Sequence, residues 1–295
     1  MKYVVLVVIY NQRLAEGATL RSLERSFPEA LREQSSLVVW NNGPSLLEAS
    51  EIEAFRSASR WKFIKIENRT DNLPLSMVYN RIVQMDAERF VFFDHDTEVG
   101  ESYWQALENH PSLDVIAPRI WGQQVCHYPK QHKRVVSTEQ PLDAEGLITI
   151  TSGMALSRRL LMELAAEEGE AFDERFALYG VDVSLFVRIQ RLARKLPIAA
   201  GCYGDLQHSL SELEQESEQV SAFRDLEKFY VAILLRLHYK GISKPKVLRY
   251  MVRQLLGKRH RLIRYAPSLL HCLVHGKHPR TLGEWTVVGR SMKRN

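Results

Sequence analysis

With 295 residues, 45% of them hydrophobic, the chain can bury one large core with an appendage, which excludes disordered and disulfide-stapled classes. Its three cysteines, Cys126, Cys202 and Cys272, fall at long irregular spacings with no CxxC pair; this excludes a cysteine zinc site and suits a reducing compartment. The net charge of +5 is uneven, because residues 240–295 carry 14 of the 40 Lys and Arg but only Glu284 of the 35 acidic residues, leaving a tail of +13 on a body of −8.

The opening MKYVVLVVIYNQ contains an apolar run too short to cross a bilayer and no small-residue cleavage site, so Val4–Ile9 reads as a buried strand. Helical apolar spacing over Thr19–Arg32 leads to a second β-branched run, Leu37–Trp40. The unit repeats with a strand at Phe63–Ile66, a helix over Ser76–Asp86, and a strand at Phe90–Phe93 that ends on Asp94. Such alternation predicts an α/β, doubly wound, mostly parallel sheet. Ligands of open parallel sheets bind outside the carboxyl ends of the strands, and Tyr10-Asn11, Asn41-Asn42 and Asp94-His95-Asp96 all fall there.

Further along, Val115–Ala117 and Leu147–Ile150 read as strands, 121–140 as a polar, basic loop or hairpin, and Ser157–Glu167 as a helix. Asp182–Leu196 reads as a helix stopped by Pro197, with Ile198–Ala200 a last strand leading to His208. From Val220 the pattern is helical, with apolar stretches at Val231–Leu237, Val247–Leu256 and Leu262–Val274 punctuated by Gly241, Pro245, Gly257 and Pro267. The division expected is a body over residues 1–215 and a basic helical extension over 216–295.

Asp94-His95-Asp96 sets two carboxylates on a tight turn, where a hard divalent cation takes oxygen ligands and neutralises a diphosphate. A D-x-D triplet also arises by chance, and a solvated acidic turn is the plain alternative. Several other stretches accompany it in order: Tyr10-Asn11, then Val39-Trp40-Asn41-Asn42-Gly43-Pro44-Ser45, then Asn72-Leu73-Pro74-Leu75-Ser76 with Asn80. After Phe92 to Thr97 come Thr151-Ser152-Gly153 and the long run from Ala171 to Arg188. Over about residues 3–210 this set resembles the family 2 glycosyltransferases of the GT-A fold. The form Asp-His-Asp-Thr is similar to their rhamnosyltransferase-like members.

The resemblance implies a metal-dependent, inverting transfer of a sugar from a nucleotide-diphosphate donor, dTDP- or UDP-linked, to a hydroxyl acceptor. It implies donor contacts from Tyr10, Asn11, Asn41, Asn42, Asn72, Asn80 and Asp94, and acceptor contacts from Ser152, Gly153 and Tyr179. Mn²⁺ or Mg²⁺ would be held by Asp94 and Asp96, with His208 completing the set, and Asp182 would be the catalytic base. Three positions depart from the family's pattern: Asn41 stands where an Asp contacts the nucleotide base, Pro74 replaces a glycine, and Val181 replaces the first acid of a pair. Asp182 also suits a helix N-cap, and Gly153 a strand-to-helix turn.

The tail interleaves apolar runs with Lys246, Arg249, Arg253, Lys258, Arg259, Arg261 and Arg264, as expected of helices lying on an anionic membrane surface. A helical cap packed on the body is the alternative. These features suit a glycan or lipid-linked saccharide acceptor, in cell-surface polysaccharide synthesis (O-antigen, capsule or lipopolysaccharide), and a cytoplasmic location peripheral to the inner face of the cytoplasmic membrane. No helix-turn-helix, zinc finger or RNP-like segment accompanies the basic tail, so no nucleic-acid partner is expected. A dehydrogenase is disfavoured because Val8 to Arg13 contains no G-x-G-x-x-G. The remaining rival is a catalytically inactive GT-A-like module that binds sugar nucleotides or glycans.

Overall fold

A computed structural model describes residues 1–209, 218–255 and 259–282, with the backbone alone given for residues 255 and 259–264. The expected boundary at 215, Leu256, Lys258 and Glu284 lie outside the described residues. Two compact units make up the chain. The first comprises Met1–Asn72, Asn80–Ala171 and Arg188–Glu214; the second comprises Leu73–Tyr79, Phe172–Val187 and Gln215–Asn295.

The first half alternates as the hydrophobic pattern requires: β1 (Tyr3–Ile9), α1 (Ala18–Ser26), α2 (Glu29–Arg32), β2 (Ser36–Asn41), α3 (Ala49–Ala58), β3 (Phe63–Asn68), α4 (Leu75–Ile82) and β4 (Arg89–Asp94). β1 and β2 are buried at every position, which is why their sequences are near-continuous apolar runs rather than alternating ones. The single helix expected over Thr19–Arg32 is instead two. Phe27 precedes Pro28 and is extended (φ −70°, ψ 127°), because a proline ring disfavours the helical region for the residue before it. Arg32 then turns inward, donating to the carbonyls of Glu24 and Phe27 beneath the Trp61 ring.

Next come β5 (Thr97–Val99), α5 (Glu101–Asn109), β6 (Val115–Ile116), β7 (Arg119–Gly122), β8 (Val125–Tyr128), β9 (Lys130–Gln131), β10 (Arg134–Val135), β11 (Gln140–Leu142), β12 (Leu147–Ile148), β13 (Ala155–Ser157) and α6 (Arg158–Glu168). The chain continues through α7 (Val181–Ala193), β14 (Ala200–Cys202), β15 (Asp205–His208), α8 (Glu218–His238), α9 (Lys244–Leu255) and α10 (Arg259–His275). The hairpins within 121–140 match expectation. The strand expected at Leu147–Ile150 is shorter and belongs to a small three-stranded sheet with β9 and β10. The expected strand Ile198–Ala200 is shifted to Ala200–Cys202.

The main sheet has the order β11-β14-β6-β13-β4-β1-β2-β3. β3, β2, β1 and β4 run parallel, and β13 inserts antiparallel between β4 and β6. From β1 the chain winds outward through β2 and β3, then returns across the sheet to β4. This reversal of winding puts a crevice beside the carboxyl ends of β1 and β4. A separate four-stranded sheet, β5-β15-β7-β8, leans on that end and brings His208 opposite Thr97.

In the second unit, α8, α9 and α10 pack on one another and close over the segments 73–79 and 172–187. α8 buries Phe229, Tyr230, Ile233 and Leu234, α9 buries Val247 and Met251, and α10 buries Leu269 and Cys272. Among the described residues no helix is long and apolar enough to cross a membrane.

Candidate functional site

The crevice is walled by three strand ends held in register. Ile9 of β1 pairs with Asn41 of β2, and Val8 of β1 pairs with Asp94 of β4. The four residues Asp94 to Thr97 therefore turn at the mouth of the sheet, with Asp94, His95 and Asp96 half-buried and Thr97 buried.

Three buried hydroxyls clamp this turn from below. Thr19 Oγ1 donates to the Asp94 carbonyl (2.5 Å) and accepts from the Thr97 N–H (2.9 Å), while the Thr19 N–H donates to the His95 carbonyl (3.2 Å). Ser152 Oγ accepts from the Asp94 N–H at 3.1 Å and lies 2.6 Å from Thr97 Oγ1. Every main-chain group of a tight turn that faces inward needs a partner, and these hydroxyls supply them.

Asp94, Asp96 and His208 each bring one donor atom to within 4.8 Å of the others. His208 Nδ1 lies 2.9 Å from Thr97 Oγ1 and 3.4 Å from Asp96 Oδ1. Withdrawal from water pushes the Asp94 carboxyl up, His208 pulls it down, and the neighbouring Asp96 adds to the rise. Two carboxylates and an imidazole are a donor set that could hold a divalent metal ion.

The other candidates on the strand ends divide into exposed groups and loop braces. Tyr10 is 45% exposed at the crevice, and Asn11 takes a left-handed conformation (φ 52°) while its N–H donates to the Gly43 carbonyl at 2.7 Å. Asn41 is 2% exposed, and its amide braces the β2 loop: it donates to the Ser45 carbonyl and Asn68 Oδ1 and accepts from the Gly43 N–H. Asn42 is buried as well, accepting from Trp40 Nε1 and donating to Asn72 Oδ1 at 3.4 Å. Asn72 has φ 44°, and Asn80 lies on α4.

Ser152 and Gly153 sit under the turn from Asp94 to Thr97. Gly153 has φ 80°, donates its N–H to the Phe92 carbonyl and accepts from Tyr103 Oη, and a Cβ built there would collide with Leu206. Its glycine is thus required by the turn and by the close approach of β15.

Tyr179 and Asp182 belong to the second unit, both half-buried. α7 begins at Val181, so Asp182 stands in its first turn rather than ahead of it, and its Oδ1 accepts from the Val183 N–H at 2.8 Å. Pro74 precedes α4, and its carbonyl accepts the first helical bonds from Met77 and Val78, while the Leu75 N–H donates to the Ala177 carbonyl. The loop leading to Asp182 is anchored by Asp173, fully buried, which takes a two-pronged contact from Arg175 and a hydrogen bond from Tyr239 Oη at 2.6 Å.

Thr19, Asn68 and Tyr103 support the site without having been marked by the sequence. Thr19 starts a helix and reads there as a terminal hydroxyl, Asn68 ends β3, and Tyr103 lies on α5, a segment to which the sequence reading assigned no element.

No protein-family model matches the chain, and no curated protein matches it in sequence. Solved structures do. Residues 1–349 of S. aureus TarS superpose with a TM-score of 0.52 at 15% identity, covering 82% of this chain and 74% of that one. The same fragment in complex with UDP-GlcNAc gives 0.53 at 16% identity, covering 80% and 67%. GalNAc-T7 with UDP, GalNAc and Mn²⁺ gives 0.52 at 12% identity, covering 79% and 50%. The chain has the GT-A fold: a parallel-rich α/β sheet followed by a helical C-terminal part.

Proposed function

We propose that this protein is a metal-dependent, inverting glycosyltransferase that moves a sugar from a nucleoside-diphosphate donor to a hydroxyl of a glycan or lipid-linked saccharide during cell-surface polysaccharide synthesis. The observation that carries the reading is the convergence of Asp94, Asp96 and His208 at the carboxyl end of β4, beside the reversal of winding in a GT-A sheet. The UDP-GlcNAc and UDP-plus-Mn²⁺ complexes of the structural neighbours support a nucleotide-sugar donor here.

A bound divalent ion would neutralise the donor diphosphate and the charge growing on the leaving group. Asp94 and Asp96 would hold it from the turn, and His208 from β15. Tyr10 offers an exposed ring at the crevice for the nucleotide base, whereas the amide of Asn41 is engaged within its own loop, so base selection falls to Tyr10 and the main chain around Asn11. Asp182, as general base, would take the proton of the acceptor hydroxyl as that oxygen attacks the anomeric carbon and the nucleoside diphosphate departs from the opposite face.

The test is release of nucleoside diphosphate from a panel of dTDP- and UDP-sugars with Mn²⁺ or Mg²⁺, comparing wild type, Asp94→Ala and Asp182→Asn. Both variants should fall by at least about a hundredfold. Sugar-nucleotide binding with no turnover in wild type would identify a binding module instead.

A further inference from the structure

The second unit presents an outward surface that joins cations to exposed apolar groups, with the Tyr250 ring also lying 4.1 Å beneath the Arg236 guanidinium. Among the described side chains of α9, Val247 and Met251, one turn apart, are buried and Val252 is half-buried, while those from 244 to 246, from 248 to 250 and at 253 and 254 are exposed. That exposed part carries Lys244, Lys246, Arg249 and Arg253 together with Leu248 (43% exposed) and Tyr250. The helix contains no acidic residue, and among the described residues none of its four cations meets a carboxylate. On α10, packed against α9, Leu270 (64% exposed) and Val274 (60% exposed) also lie one turn apart and form an outward aliphatic stripe.

A helix that merely caps a protein carries both signs of charge on its solvent face and keeps large aliphatic side chains inward. Here one sign of charge and large apolar groups share the surface, and the sequence from residue 240 onward totals +13 against −8 for the rest. A duplex nucleic acid would use the cations but gives Leu270 and Val274 nothing apolar to enter. A folded protein partner would need an acidic rim around an apolar pocket. An anionic bilayer satisfies both requirements at once: phosphate headgroups meet lysine and arginine, and the acyl boundary beneath them accepts aliphatic side chains.

We infer that α9 and α10 form a docking face for anionic lipid, with Lys244, Lys246, Arg249 and Arg253 at the headgroups and Leu248, Tyr250, Leu270 and Val274 entering the interface. The inference stands apart from the transfer chemistry. It needs only the second unit's surface, and it would hold for a binding module as well as for an enzyme.

Sedimentation of the purified full chain with phosphatidylcholine vesicles, with and without phosphatidylglycerol, tests it. The chain should pellet with the anionic vesicles alone and lose partitioning steeply as salt rises. The fourfold variant Lys244→Gln, Lys246→Gln, Arg249→Gln and Arg253→Gln should weaken partitioning by roughly a hundredfold or more. The pair Leu270→Ser and Val274→Ser should remove the portion that survives high salt. All six positions are exposed, so thermal melting should stay at the wild-type value and any loss of binding is a surface effect. Equal pelleting with neutral vesicles, no pelleting with either, or vesicle binding unchanged in the fourfold variant would overturn the proposal. Displacement from anionic vesicles by stoichiometric duplex DNA would reassign the face to nucleic acid. Nucleotide release measured without vesicles reads the transfer reaction independently, so the two proposals fail separately.

Discussion

Replacing Gly153 by alanine couples the stability of the first unit to the geometry of the Asp94, Asp96 and His208 cluster. Gly153 has φ 80°, and a left-handed conformation costs an alanine about 1–2 kcal/mol. The added methyl falls on the Leu206 side chain and within 3.1 Å of Pro118 Cγ, an overpacking worth a further ~1–3 kcal/mol. The lower chain entropy of alanine in the unfolded state returns about 0.4–1 kcal/mol, leaving a net loss of about 1–5 kcal/mol. Leu206 lies two residues before His208 on β15, so the strand that yields to the methyl is the strand that carries the imidazole. Urea denaturation should show the loss of stability, and calorimetric titration with Mn²⁺ at a temperature where the variant remains folded should show affinity reduced at least about tenfold. Adding Leu206→Ala should give a double variant about 1–3 kcal/mol more stable than the two single costs predict, because the overlap is relieved while the backbone strain remains. Stability within ~0.5 kcal/mol of wild type, or Mn²⁺ affinity unchanged in a destabilised variant, would refute the coupling.

Ser152→Ala leaves the Asp94 N–H and Thr97 Oγ1 without their common partner; a loss of about 1–3 kcal/mol in urea and a weaker Mn²⁺ isotherm are expected, with Ser152→Thr tolerated less well than wild type because its methyl must enter a buried site. In the second unit His278 and Glu227 are both 2% exposed and 3.1 Å apart, so His278→Ala strands a buried carboxylate and should cost about 2–3 kcal/mol, whereas Glu227→Gln, which still accepts from Nε2–H, should cost less; thermal melts of both variants check this. Burial pushes the Cys202 and Cys272 thiols up to about 12, so both stay protonated at pH 8 and a native-state alkylation followed by mass spectrometry should find label on half-buried Cys126 first. A chain ended after residue 239 loses the Tyr230–Ser268 hydrogen bond, the His278–Glu227 pair and the bond from the His278 N–H to the Arg175 carbonyl; it should fail to give a cooperative melt for the second unit.

Much of the first half of the fold was legible because its strands are buried on both faces and therefore read as near-continuous apolar runs: β1, β2 and β4 all begin or end within two residues of the expected positions. α3 escaped notice for the opposite reason. It fully buries none of its residues, so selection for an apolar stripe is weak, and Ile52 and Phe55 only brush the core. β13 was hidden by its length of three residues, and its antiparallel insertion between β4 and β6 is a topological fact that no local pattern encodes. At the site, the Asp94-His95-Asp96 turn and His208 were visible as residue types at strand ends. The roles of Ser152 and Asn41 were not, because whether a hydroxyl or amide faces a ligand or braces a loop depends on contacts across long sequence separations, such as the 58 residues between Asp94 and Ser152.

The segment that carries Asp182 is built with the helices of the tail rather than with the sheet. Asp173, whose backbone carbonyl and carboxylate fix the turn before Phe176, is held by Tyr239 from the end of α8, and Arg175 receives the main chain at His278. Gain or loss of C-terminal sequence would therefore be felt at the loop that precedes the aspartate. Substitutions some sixty to a hundred positions downstream could reshape that loop and leave the carboxyl ends of the sheet's strands untouched.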